Sequence, residues 1–438
     1  MGVFVAFNYG LHILGGYIGG RLISYRVLFL LGMVLQIFAC LFLAFPSTEH
    51  LYIALALFLT GCSLNVPCIN MMLTQQFENN DGDRESAFFW NYAGMNIGFF
   101  IGFFIGFTIA GIYQGKQSYN TLFLITTITK IIAFLLLATS WKTVADRTTP
   151  LVKKIQQKGN NILLKNNFFA LLIIFITVLL LFIALQYPLN TNYIALVVGI
   201  LLLLMFIPIA RAQNIKEQKN KVYAYVILAT FGLVFWSAYQ LAPMALTVFA
   251  EANIDKHLLG FTIQTQWFQN VNTVVIAVGG MLLPSILLII RKRFIFSFPM
   301  QFCFSLIFIA IGFAMLIIGI LCANSYGYTA AIWLILSYVF QSIGELLIGP
   351  TGYAMVGKLA KPKLQGLMMG SWMVVTGSTS GVIASLLSIL VASPDINAAP
   401  IETNSSYLTL FTGLTIVAAV AAFIMYLIIP KIRKLAYI

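Results

Sequence analysis

Charge is what this chain has least of, and acidic charge above all. Of 438 residues only 8% are Asp, Glu, Lys or Arg, and the 12 Asp and Glu are outnumbered by 25 Lys and Arg. So few charges cannot cover a water-soluble domain. With 61% apolar residues and a mean hydropathy of +0.95, the chain reads as an all-α polytopic membrane protein. Cysteine is scarce as well. Cys40, Cys62, Cys68, Cys303 and Cys322 lie in or beside apolar runs, none paired at metal-ligand or redox spacing, and they read as small apolar residues. No metal or other cofactor is expected. His-Glu-x-x-His, Gly-x-Ser-x-Gly and nucleotide-binding loops are missing, so neither an enzyme nor an ATP-driven pump is expected. The first apolar run lacks a basic leader and ends at Arg21, which argues against a cleaved signal peptide.

The net charge of +13 would point to nucleic acid in a soluble protein. Here its distribution points to membrane topology instead. All but Lys116, Lys130 and Lys256 of the basic residues fall in loops on one side, the pattern of cytoplasmic segments. Nucleic acid is therefore not expected as a partner, whereas membrane lipid is.

Thirteen spans are expected, at 2–22, 27–45, 51–73, 87–112, 120–141, 167–187, 192–210, 223–250, 261–290, 299–322, 330–357, 364–392 and 408–429. They divide into an amino-terminal half at 1–141, an inserted pair with basic linkers at 142–222, and a carboxyl-terminal half at 223–438. With the tail Lys431 to Lys434 in the cytoplasm, an odd count places Met1 outside, and a further helix ahead of it is expected.

The stretch 338–372, YVFQSIGELLIGPTGYAMVGKLAKPKLQGLMMGSW, draws the most attention. Glu345 is the one acid expected at membrane depth, where a carboxylate costs about 2.5–3.5 kcal/mol on insertion scales unless partnered or wet. Gly344, Gly349, Pro350 and Gly352 around it suggest a loosened or broken helix, a usual place for a substrate site in a transporter. The bland alternative is a protonated carboxyl joining two helices. Lys130 sits too deep in 120–141 to snorkel easily, and His12 could titrate near neutral pH, although a lone histidine more often joins helices.

Several segments together resemble a known family. Gly15-Gly16 followed by Arg21 looks like the loop motif of the major facilitator superfamily. DGDRESAFFWNYAGMNIGFFIG (81–102), FWSAYQLAPMALTVFAEANID (235–255), WFQNVNTVVI (267–276) and the stretch around Glu345 resemble the proton-dependent oligopeptide transporter family. The resemblance implies a major facilitator fold of two pseudo-symmetric helical halves plus two inserted helices. It also implies uptake of di- and tripeptides driven by the proton gradient, by a protein expected to act as a monomer. By that resemblance Glu345 and Asn272 would hold the peptide's α-ammonium, and Tyr9, Tyr92 and Asn96 would line the amino-terminal side of the cavity. Trp236, Tyr239 and Trp372 would form an aromatic wall.

The chain also departs from the family. The helix bearing E-x-x-E-R is missing, span 51–73 has no basic residue where the family places a lysine, and acids are replaced by Gln240 and Gly20. Glu345, His12 and Lys130 are then the candidates for proton coupling, with Lys130 as a substitute cation for the peptide carboxylate. These departures keep a second reading open: a degenerate, non-coupled member acting as a facilitator or as a ligand- or lipid-binding membrane protein.

Overall fold

The computed structural model describes the chain except at residues 1, 46, 77–90, 92, 93, 96, 103, 107, 108, 110–115, 148, 160, 259, 266, 294, 295, 361, 392–397 and 438. Tyr92, Asn96 and the acidic loop residues Glu78, Asp81, Asp83 and Glu85 lie outside the described residues, as does much of the span expected at 87–112. Among the described residues, ten helices are long and apolar enough to cross a membrane. The span expected at 2–22 is instead two short helices, because the chain turns at Leu11. The span expected at 261–290 is one helix, Trp267–Arg293.

Two compact units emerge, Val3–Thr191 and Asn192–Ile438 (with Met1–Gly2). The first contains α1 (Gly2–Gly10), α2 (His12–Ile18), α3 (Tyr25–Ala44), α4 (Thr48–Thr74), α5 (Lys116–Thr139), α6 (Pro150–Lys158) and α7 (Asn161–Gln186). Its buried core joins Ile18, Tyr25 and Leu28 to Leu64, Cys68 and Met72, with Ala170 and Ile174 of α7 against them. Gly15 of the loop motif lets α2 approach α4, since a Cβ there would overlap the Ser63 carbonyl. Gly16 has no such neighbour, and the Arg21 guanidinium lies 5.0 Å over the Tyr17 ring.

The start of α3 is held from far along the chain. Ser24, its N-cap, makes no side-chain cap; both carboxylate oxygens of Asp146 accept from the Tyr25 N–H at 3.2 Å. Arg26 stacks 4.3 Å over the Trp141 ring and donates to the Trp141 carbonyl at 2.9 Å. Gly20, where the family motif has an acid, has φ +70°, and a Cβ there would come within 2.7 Å of the Tyr25 ring. A side chain is disfavoured at that turn twice over, by conformation and by contact.

The second unit contains most of α8 (Pro188–Leu204), then α9 (Phe206–Arg211), α10 (Lys216–Tyr239), a π-helical turn at Ala242–Leu246 and α11 (Thr247–Ala252). There follow α12 (Trp267–Arg293), α13 (Phe298–Leu321), α14 (Ala331–Leu359) and α15 (Pro362–Met373). After a second π-helical turn, Val374–Thr379, come α16 (Ser380–Ile389) and α17 (Pro400–Ala436). Its only strands among the described residues are two-residue pieces in the loops. The expected inserted pair corresponds to α7 and α8, and the two pack differently. α7 belongs to the first core, whereas Gly199 of α8 lies against Thr379 in the second unit.

One end of the second unit is tied by Asn253, whose amide donates to Thr403 Oγ1 at 2.7 Å and Asn404 Oδ1 at 3.0 Å. Asn404 in turn donates to the Gly327 carbonyl at 2.8 Å, so a loop end and α17 share one buried polar knot.

Burial holds the Asp146 carboxyl above the ordinary carboxylate range, against the opposing pull of the Tyr25 N–H and the Arg26 guanidinium. A group raised in the fold stabilises most below its ordinary value, and that contribution is lost as pH rises through the raised value. Asp146→Asn is therefore expected to flatten part of the fall in apparent Tm from about pH 4 upward. Asp146→Ala is expected to cost about 1 kcal/mol through the lost cap. Thermal unfolding in detergent measures both, and an unchanged pH profile in the Asn variant would contradict the assignment.

Candidate functional site

Three helices of the second unit converge on Glu345. Its Oε2 accepts from the Tyr239 hydroxyl of α10 at 2.5 Å and from the Asn272 amide of α12 at 2.9 Å. The Asn272 amide also lies 2.8 Å from Ser342 Oγ and 2.9 Å from the Tyr239 oxygen. Ser342, one turn before Glu345 on α14, is buried and donates onward to the Tyr338 carbonyl at 2.7 Å. Two amide hydrogens thus face three acceptors, which fixes the orientation of Asn272.

Both donors to Glu345 act on one oxygen. Oε1 takes no hydrogen bond among the described residues, and the side chain is partly exposed. The carboxyl group is therefore held through one oxygen, and the other is the atom left to receive a cationic group.

Aromatic rings fix the Tyr239 hydroxyl. Phe235 stacks on the Tyr239 ring at 5.9 Å, and Trp236 meets it edge-on at 5.3 Å. The Trp236 indole N–H is buried with no acceptor among the described residues. A buried donor left unmatched costs about 1–3 kcal/mol.

The helix carrying Glu345 is not broken. α14 runs through Pro350 from Ala331 to Leu359, and the interruptions fall at the π-helical turns Ala242–Leu246 and Val374–Thr379, just after Tyr239 and Trp372. π-helical turns inside helices are frequent at functional sites. The glycines serve close approach: a Cβ at Gly344 would come within 2.9 Å of the Phe235 ring, and one at Gly352 would overlap Trp372. Trp372 corrects a second expectation. It is 2% exposed, packed against Gly232, Gly352 and Phe302, and so fills a helix contact where a cavity wall was anticipated.

The remaining candidates belong to the first unit. Tyr9 is exposed on α1, with its ring edge-on to His12 at 6.2 Å; His12 Nδ1 is buried without a partner among the described residues. Lys130 on α5 is half-buried, within electrostatic reach of Cys40 and Cys62. It is not among the groups that hold Glu345, both of which are neutral donors. Ser342 was not anticipated from sequence, because a serine in an apolar helix gives no signal until its partner is known. Among the described residues no cluster of His, Cys, Asp and Glu could hold a metal ion.

Residues 23–405 match the model of the POT family. The chain belongs to the POT family. It is a family of transporters rather than enzymes, and its members are multi-pass membrane proteins. This POT-family chain is 26% identical over 437 residues to dipeptide and tripeptide permease A of Chromobacterium violaceum, covering 99% of this chain and 85% of that protein. Its fold is similar to that of a peptide transporter POT crystallised with sulfate, with TM-score 0.82, 20% identity, and coverage of 99% of this chain and 86% of that one. A POT family transporter in complex with a thioalcohol-conjugated peptide is similar at TM-score 0.79 and 22% identity, covering 99% and 87%. The helical, major-facilitator-like fold expected from sequence is thereby shown.

If Gly352 exists to admit the Trp372 ring, Gly352→Ala should destabilise by about 1–3 kcal/mol through overpacking. Adding Trp372→Phe should recover part of that loss. Apparent Tm of the single and double variants measures the coupling; strictly additive losses would contradict it.

Proposed function

We propose that this chain carries di- and tripeptides across the bacterial inner membrane, coupled to proton movement, by alternating access. The observation that carries the proposal is the free oxygen of Glu345. A peptide α-ammonium placed there gains a charge-assisted hydrogen bond in a low-dielectric setting, while Tyr239 and Asn272 hold the other oxygen in place. Protonation of Glu345 would remove the charge that holds the ammonium, so peptide affinity depends on whether this group carries a proton. The proton gradient would supply the energy with no other cofactor.

By the family resemblance, Tyr9, Tyr92 and Asn96 are proposed to serve substrate binding, and His12 and Lys130 to serve the proton or the peptide carboxylate. Trp372 would act by supporting the helix that faces the substrate. The names of relatives support the substrate class: dipeptide and tripeptide permease for the bacterial proteins, and a bound conjugated peptide in one solved transporter. The basic loops and tail are proposed to face the cytoplasm, and the protein to work as a monomer surrounded by lipid.

Uptake of a labelled dipeptide into proteoliposomes under an imposed proton gradient tests the proposal. Glu345→Gln is expected to lower the initial rate roughly ten- to hundredfold, the value of a hydrogen bond to a charged group. Wild-type rates in that variant would remove Glu345 from the mechanism, and no dipeptide uptake by the wild type would remove the substrate assignment.

A further inference from the structure

At the far end of the second unit, α17 outruns the membrane. Its 37 residues span about 55 Å, against a hydrocarbon core of about 30 Å. From Tyr407 to Ile429 it carries no charge; then Lys431, Arg433 and Lys434 follow in quick succession. Pro430, Arg433, Lys434 and Tyr437 line a shallow recess that is open to the surface.

Three features make this recess more than a basic helix end. The Arg433 Nε is buried and has no acceptor among the described residues, while the side chain as a whole stays partly exposed. Tyr437 takes a left-handed conformation, φ 58°, its N–H bonds the Arg433 carbonyl, and it lines the recess together with the basic pair. Lys221 of α10 then brings a third cation to 5.9 Å from that ring. Glu217, the acid that faces this group, is taken up by Lys221 at 2.6 Å, and among the described residues no acid pairs with Arg433 or Lys434.

The recess also continues an apolar stripe. Val420, Phe423 and Leu427 are exposed on α17 and lead at four- and three-residue steps to Pro430, Lys434 and Tyr437, so all six share one helix face. A molecule lying along that face would have hydrocarbon against Val420, Phe423 and Leu427 and an anion against Arg433 and Lys434.

We propose that this face binds one anionic phospholipid, with its phosphodiester at Arg433 and Lys434 and an acyl chain along the stripe. The planar guanidinium offers paired N–H groups to two phosphate oxygens, and a tyrosine at headgroup depth is the usual interfacial aromatic. The stripe favours a lipid over a free phosphate, which would gain nothing from it.

Native mass spectrometry of the full-length protein, titrated with phosphatidylglycerol, phosphatidylcholine or inorganic phosphate, tests the site. Removing two cations, R433Q/K434Q, is expected to weaken phosphatidylglycerol binding roughly 30-fold. K153Q/K154Q, which removes two exposed cations elsewhere, should bind as the wild type does. R433K keeps the charge but loses the fork; it should weaken binding severalfold, and it serves if the double variant does not fold. Equal losses in the two double variants, unchanged affinity in R433K, or equal binding of phosphatidylcholine would overturn the proposal. Displacement of the lipid by an equal concentration of inorganic phosphate would overturn it in favour of a free anion.

Discussion

A carboxylate cannot be kept among membrane helices unless something in the fold replaces water around it. In this chain the replacement is half complete. Tyr239 and Asn272 satisfy one oxygen of Glu345, and the other is left open. The surrounding packing follows from that arrangement. Phe235 and Trp236 hold the Tyr239 ring, Ser342 fixes the Asn272 amide, and Gly344 lets the Glu345 helix come close enough to α10 for the bonds to form. Each of these contacts is ordinary by itself. Together they hold the Glu345 carboxyl group in one orientation through neutral donors.

The π-helical turns suit the same purpose. One begins at Ala242, shortly after Tyr239, and another at Val374, shortly after Trp372, each taking up extra backbone within a helical path. The helix that carries Glu345, α14, passes its own proline unbroken.

Much of this was legible in the sequence, for identifiable reasons. Apolar runs long enough to span a bilayer located the main helices, since nothing soluble tolerates them. Glu345 stood out because an acid at that depth has few structural excuses, and Asn272 and Tyr239 because they sit in segments shared with the family. Other features were hidden for equally physical reasons. Glycine near a buried acid can loosen a helix or admit a neighbour, and only the position of the Trp372 ring shows that Gly352 does the second. An aromatic residue type does not say which way it faces, so Trp372 reads the same in a cavity wall as in a helix contact. Asp146 caps a helix that begins 121 residues earlier, a pairing that local capping patterns cannot find.

The most direct measurement is the affinity of the purified protein for a dipeptide and for its N-acetyl counterpart, in the wild type and in Glu345→Gln. If the open oxygen of Glu345 receives the α-ammonium, the wild type should prefer the free dipeptide by roughly tenfold or more, and the variant should show little preference. A preference that survives intact in the variant would mean that the ammonium is held elsewhere, and the role given to Glu345 would be wrong.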